Sequence, residues 1–410
     1  MTTTAPEVSG PSGATPAGGQ VIGHKHGPGG VPLGLSPSVR STDPADFATP
    51  RGRDEAWRFT PMRRLRGLHE TTQAPTGRVE YRSDDDRVSV VAADAVAPSG
   101  YRATERPAAV ALAGAGTAAH VVIAAGDEAA PVPVRLIVAA EGGTAFGRVH
   151  IEVAAHARAI VVLEHIGDAA YIGNVDVVLG DGAELTLTSL QRWSDTAVHL
   201  GYQHAVVGRD ARFRSVVVTL SGDVVRLLPS VEYAGPGGDA ELYGAFFAAS
   251  GQHQEHRLFV DHEQPNCRSR VTYKGALSGA KTHTVWVGDV VIGAKAIGTD
   301  TYELNRNLVL TDGARADSVP NLEILTGEVA GAGHASATGR FDDQQLFYLM
   351  SRGIPAAQAR RLVVRGFVAD IVRHAGVSDV VDSVMETIDE RLAQLDADDS
   401  TASAAGAGDD

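Results

Sequence analysis

The chain has 410 residues, a formal net charge of −14, 43% hydrophobic but only 5% aromatic residues, and one cysteine. A domain that lives on phosphate contacts is normally basic, so this balance argues against nucleic acid as a partner. A lone thiol excludes an internal disulfide and fits a reducing, cytoplasmic setting.

Residues 1–45 are rich in Gly, Pro, Ser and Thr and are expected to be a disordered tail. They lack the charged stretch and apolar core of a signal peptide. "GHKHGPGG" carries His24 and His26, but two histidines on floppy chain make a weak metal site. Residues 46–84 are expected to form an N-terminal helical segment. Within it, Trp57, Phe59, Met62 and Leu65 of "DEAWRFTPMRRLRGLHE" can share an apolar face around Pro61. "AAVALAGAGTAAHVVIAA" (108–125) is the most membrane-like stretch, yet it contains Gly, Thr and His120 and is barely long enough to span a bilayer. A buried strand pair with a turn is the expectation there, and no membrane association.

From 85 to 339 short β-rich runs alternate with Gly/Asp turns. Ala157, Ala183, Ala211 and Ala240 each precede an alternating strand at separations of 26 to 29 residues. That spacing lies in the range of repeat architectures, and one coil per repeat gives a β-solenoid, although a β-sandwich also has short strands and turns. Residues 340–396 switch to helical periodicity. "FDDQQLFYLMSRG" stops at Gly353, "IPAAQARRLVVRGF" starts with Pro355, and Val381, Val384, Met385, Ile388, Leu392 and Leu395 follow at helical spacing behind Ser378 as N-cap. The acidic, small-residue segment 397–410 is expected to be disordered. The coarse architecture is a β body with a helical cap at each end.

Self-contained chemistry is scarce. "GALSGAKT" (275–282) places Gly275, Lys281 and Thr282 like a phosphate loop, but Ala280 stands where the last glycine belongs and strand residues follow. His253, His256, His262 and Cys267 are suitable metal ligands by type. On an extended strand, however, His256 and His262 sit about 20 Å apart, so strand-end histidines and a packed cysteine are the expectation. His334 lies alone in "GAGHASATG", read as a small-residue loop. One imidazole cannot hold a metal without ligands from elsewhere. The arginines Arg352, Arg360, Arg361 and Arg365 beside apolar Leu362 and Phe367 suit docking against an acidic-rimmed groove, or capping of the solenoid end.

"NRNLVLTDGARADSVPNLEI", the histidine at 334, "FDDQQLFYLMSRGI" and "ARRLVVRGF" resemble the C-terminal signature of the SufB/SufD family, as "EAWRFTP" and "CRSRVTYKGAL" resemble earlier motifs of it. The similarity extends over roughly residues 51–390 and is closer to SufD than to SufB. It implies a mainly β fold, a right-handed parallel β-helix flanked by helical segments. It further implies a non-catalytic, cytoplasmic scaffold subunit of a SufBCD-type complex for iron–sulfur cluster assembly. Its partners would be a SufB-like paralogue and a SufC-like ABC-type ATPase docked through the C-terminal helices, with a cysteine desulfurase system acting indirectly. The cluster would be transient and shared with the partner, and reduced flavin could bind the complex. His334 falls where SufD-like proteins direct a histidine at SufB. Many relatives carry a cysteine two residues earlier, and here Ala332 occupies that place, so this chain would supply an imidazole and the partner the thiolates. Two other readings stand beside it: a β-solenoid enzyme acting on a carbohydrate or polymer, and a SufD-like protein acting as a homodimeric metal carrier without SufB.

Overall fold

The computed structural model describes residues 34–71, 74–96, 100–126, 132–340 and 343–406. The tail up to residue 33, with His24 and His26, lies outside them.

Two nine-stranded sheets form a parallel β-solenoid of about eight turns. From Thr117 onward, successive strands go alternately to one sheet and the other. At the N-terminal end two antiparallel strands begin the sheets: Arg78–Arg82 pairs with Val134–Glu141, and Val88–Ala92 with Thr117–Ile123. All later pairings are parallel, with register steps such as Arg158↔Glu184, Glu184↔Arg212 and Arg212↔Asp239. In-register residues of neighbouring strands point the same way, so each lumen position becomes a ladder. Leu185, Phe213 and Ala240 form one such ladder, all buried in the main core.

The tight corners demand small side chains. Ala157, Ala183 and Ala211, each just before its strand, are fully buried. One coil later the corner passes to Gly238, since Asp239 pairs with Arg212, and then to Cys267 before Arg268. Ala240 therefore sits one step further in, opposite Phe213, rather than on the corner ladder. Cys267 is a corner residue, and its Sγ lies 3.6 Å from the carbonyls of Gly235 and Pro265. Burial pushes its thiol up, which fits packing rather than thiolate chemistry.

Several expectations need correction. Residues 54–70 form two separate 3-10 turns, Glu55–Trp57 and Met62–Arg64, because they bury Trp57, Leu65 and Leu68 by docking on a sheet rather than as a free amphipathic helix. The stretch 108–125 is not a strand pair: it falls in helix α1 (Arg106–Gly114), favoured by Pro107 in its first turn, and then strand Thr117–Ile123. Residues 35–45 are tied down: the Leu35 amide donates to Glu323, Ser41 bridges to Ala103, and Arg40 pairs with Glu232 and Asp261.

Three helices follow the last strand, α2 (Asp343–Ser351), α3 (Ala356–Val372) and α4 (Ser378–Gly406). α4 continues through most of the segment expected as a tail, whose alanines favour helix. Helices cover the flanks of the solenoid rather than its ends. Val364, Val368, Ile371, Val384 and Ile388 pack on the outer face of one sheet against Val162, Val216, Val218 and Phe247. On the other sheet, α1 and the 3-10 turns pack against Phe146, Ile172, Leu200 and Val224. No helix among the described residues is long and apolar enough to cross a membrane.

Candidate functional site

His334 is not in a loop. It lies in strand Val329–Arg340, the outermost strand of its sheet, paired in parallel with Thr299–Val309. Pairing with a formed coil imposes the strand on a Gly/Ala sequence of low intrinsic β preference. The register sets Ala332 beside Thr301, His334 beside Glu303, Ser336 beside Asn305 and Thr338 beside Asn307. Those four partners are buried lumen residues, so His334 and its neighbours face the same way. In the last coil, Ala332, His334, Ser336 and Thr338 are exposed. The lumen therefore opens at this end, with an imidazole at its mouth.

The layer beneath is polar. Asn307 Nδ2 donates to Thr338 Oγ1 at 3.2 Å and to Ser318 Oγ at 2.9 Å, and Ser318 Oγ donates to Asn305 Oδ1 at 2.7 Å. Glu303 is 1% exposed, and neither carboxyl oxygen has a hydrogen-bond partner. Burial, with a smaller contribution from the Asp289 charge, pushes its carboxyl up to about 8, so near neutrality it is largely protonated. On the outward side the strand offers Gly331, Gly333, Ala335, Ala337 and Gly339, a surface another backbone can approach closely. This coil offers one imidazole and no thiolate.

The histidines between 253 and 262 are used internally. His256 Nε2 bonds to Thr219 and stacks on Phe246, while His262 Nε2 bonds to Ser269 and stacks on Tyr233. Burial pulls them down to about 3 and about 4, so both are neutral. His253 faces Glu255 at 3.2 Å. "GALSGAKT" is a strand end and a turn into strand His283–Ile292, with Thr282 Oγ1 donating to the Ser278 carbonyl.

The arginine-rich helices are partly engaged within the chain. Arg365 pairs with Asp389 of α4. Phe367 is half-buried beneath Lys274, whose Nζ lies 5.2 Å from the ring centre and 2.5 Å from Asp370. Arg352 stacks on Tyr348 and donates to its hydroxyl. Arg360 and Arg361 are half-buried on α3. Leu362 is exposed, as are Phe347, Tyr348 and Met350 of α2, with Phe347 at 73%.

Residues 136–367 match the family model for the SUF system FeS cluster assembly, SufBD core domain. The chain belongs to the SufBD family. An iron–sulfur cluster assembly SufBD family protein of Mycobacterium tuberculosis is 50% identical over 363 residues, spanning 86% of this chain and 91% of that protein. A Mycobacterium leprae relative of the same description is 47% identical over 363 residues, spanning 86% and 93%. The iron–sulfur cluster assembly protein SufD of Escherichia coli is 27% identical over 257 residues, 62% of this chain and 60% of that protein.

Two features of this SufBD chain escape sequence reasoning. Glu303 in "TYELNRN" reads as one polar residue among several, and only its register shows that it points into the lumen. Arg226 is fully buried and gives the "EAWRFTP" motif its physical role. Its Nη atoms donate to both Glu105 oxygens at 2.7 and 2.8 Å and to the Ala56 carbonyl at 2.9 Å, and its guanidinium lies 3.9 Å from the Trp57 ring centre. Glu255, below it, accepts from Thr60 Oγ1 at 2.7 Å. Ala56, Trp57 and Thr60 are thus the residues by which the N-terminal segment clamps onto the solenoid.

Proposed function

We propose that this chain is the SufD-type subunit of a SufBCD-type complex, a non-catalytic cytoplasmic scaffold that pairs with a SufB-like paralogue and docks a SufC-like ABC-type ATPase. The observation that carries the reading is His334, exposed at the open mouth of the solenoid on an unpaired edge strand. A second solenoid can add its strand to this edge by backbone pairing, and the Gly/Ala outer face removes steric obstacles to it. His334 then donates an imidazole to a cluster whose thiolates come from the paralogue, compensating for Ala332. A rigid coil holds that side chain with little reorganisation. Docking of the ATPase falls to α2 and α3, where Phe347, Tyr348, Met350 and Leu362 are exposed beside Arg352, Arg360 and Arg361; Arg365 and Phe367 hold these helices in place.

The test is co-expression with a SufB-like paralogue and a SufC-like ATPase. His334→Ala should leave the assembly intact and lower the iron and sulfide retained after anaerobic purification. Phe347→Asp with Leu362→Asp should lose the ATPase alone. Undiminished iron and sulfide in His334→Ala would refute the ligand role, and retained ATPase in the double variant would refute the docking surface.

A further inference from the structure

The opposite, N-terminal end of the solenoid carries a second cluster of metal-ligating side chains. Strands Thr117–Ile123 and Thr144–Val153 pair in parallel, with His120 opposite His150 and Val122 opposite Glu152. Val121, Ile123, Val149 and Ile151 fill the lumen core, so His120, His150 and Glu152 stand together on the outer face. His150 Nε2 lies 2.7 Å from Glu152 Oε1, and His120 Nε2 lies 3.4 Å from the same oxygen. One donor atom from each residue falls within 4.8 Å of the other two.

Two details exceed what an ordinary ion pair requires. His150 is 1% exposed, and its Nδ1 is hydrogen-bonded to the equally buried Asp176, one coil further on. Asp176 is braced in turn by Arg148 Nε at 3.4 Å. A carboxylate holding the far nitrogen of an imidazole fixes the ring and leaves Nε2 to act as a ligand, the arrangement found behind metal-bound histidines. The second detail is His120 Nε2, which is buried and has no hydrogen-bond partner although it faces Glu152. A proton shared between His150 and its carboxylates leaves that nitrogen with only the 3.4 Å contact to Glu152 and no hydrogen bond; a cation between the three side chains uses it.

We propose that His120, His150 and Glu152 bind a divalent first-row transition-metal ion, with Asp176 orienting His150 from behind. Two imidazoles and one carboxylate suit zinc or ferrous iron, and such three-ligand sets leave coordination positions open. Glu152 is half-exposed, so water has access to those positions. His334 plays no part in this site.

The test uses the full chain carrying His24→Ala and His26→Ala, so that the tail histidines do not contribute. Co(II) titration followed by its visible absorption, and displacement by Zn(II), should give one equivalent per chain. Glu152→Gln and His120→Ala should each weaken binding about 10- to 100-fold. Asp176→Asn, which removes no ligand, should also weaken it by at least about tenfold, whereas His334→Ala should leave it unchanged. Zn(II) should raise the melting temperature of the parent chain but not of Glu152→Gln. Failure of the parent chain to bind Co(II), or equal affinity in a folded Glu152→Gln, would overturn the proposal. If His120→Ala does not fold, the half-exposed Glu152 position decides alone.

Discussion

Arg226→Met tests whether one buried guanidinium clamps the N-terminal segment. Methionine keeps most of the stem volume and removes the charge. The variant loses three hydrogen bonds, two to Glu105 and one to the Ala56 carbonyl, an ion-pair contact to Glu255 at 3.4 Å, and the stacking over Trp57. It also strands Glu255, fully buried, without its main counter-charge. Breaking a buried pair by removing one partner costs about 3–5 kcal/mol, because the remaining charge is left uncompensated. The acid side gives an independent figure. Burial alone would raise the Glu255 carboxyl, but Arg226 and then His253 and Arg257 outweigh it and hold it at about 2. A carboxylate depressed from 4.5 contributes stability that is fully present above that value and is lost as pH falls toward 2. The contribution is about 3 kcal/mol. The assay is hydrogen exchange at the Thr60 and Leu68 amides, which are bonded to the Trp57 and Leu65 carbonyls. Arg226→Met should lower their opening free energy by about 3–5 kcal/mol, and adding Glu255→Gln should recover part of the loss. A change below about 1 kcal/mol, or no recovery in the double variant, would refute the clamp.

Glu303→Gln should gain on the parent chain as pH rises. A carboxyl whose folded pKa is raised from 4.5 to about 8 costs folding stability progressively across that window, on the order of 3 kcal/mol by pH 7. Melting temperatures compared at pH 5 and pH 8 check this, and a constant difference would contradict it. Gly167→Ala should destabilise by at least about 1–3 kcal/mol in urea unfolding, because Gly167 has φ +116° and an added Cβ would collide with the Ala140 carbonyl oxygen. His334→Ala should leave the melting curve of the isolated chain unchanged, since its side chain is exposed; a clear loss would assign it a structural role.

The solenoid was legible because each coil repeats the same demands, an alternating strand and a small corner residue, at a nearly constant length. Where the coil length changes, the regularity misleads: Ala240 looks like a corner but follows one, because Gly238 has taken that place. His334 was legible as an isolated histidine, yet a strand of glycine and alanine has no local signal, and only the neighbouring coil makes it one. The His120, His150 and Glu152 cluster was invisible for another reason. Its histidines are a full coil apart in sequence, and the lengths of the intervening turns decide whether they meet. Glu303 and Arg226 likewise become informative only when register and docking show that they are buried. The C-terminal helical pattern coincides with α2, α3 and α4 but was assigned to the end of the solenoid, since helical periodicity reveals an apolar face and not which surface receives it; on the N-terminal side the expected helix is two 3-10 turns.

The most direct test of the scaffold reading is anaerobic affinity purification of this chain, tagged, from its own cells, with all co-eluting proteins identified and their stoichiometry measured. Recovery of a SufB-like paralogue and a SufC-like ABC-type ATPase, with no ATP hydrolysis by the isolated chain, is the result the account predicts. Recovery of the chain alone or only with itself, or nucleotide turnover by the pure chain, would contradict it.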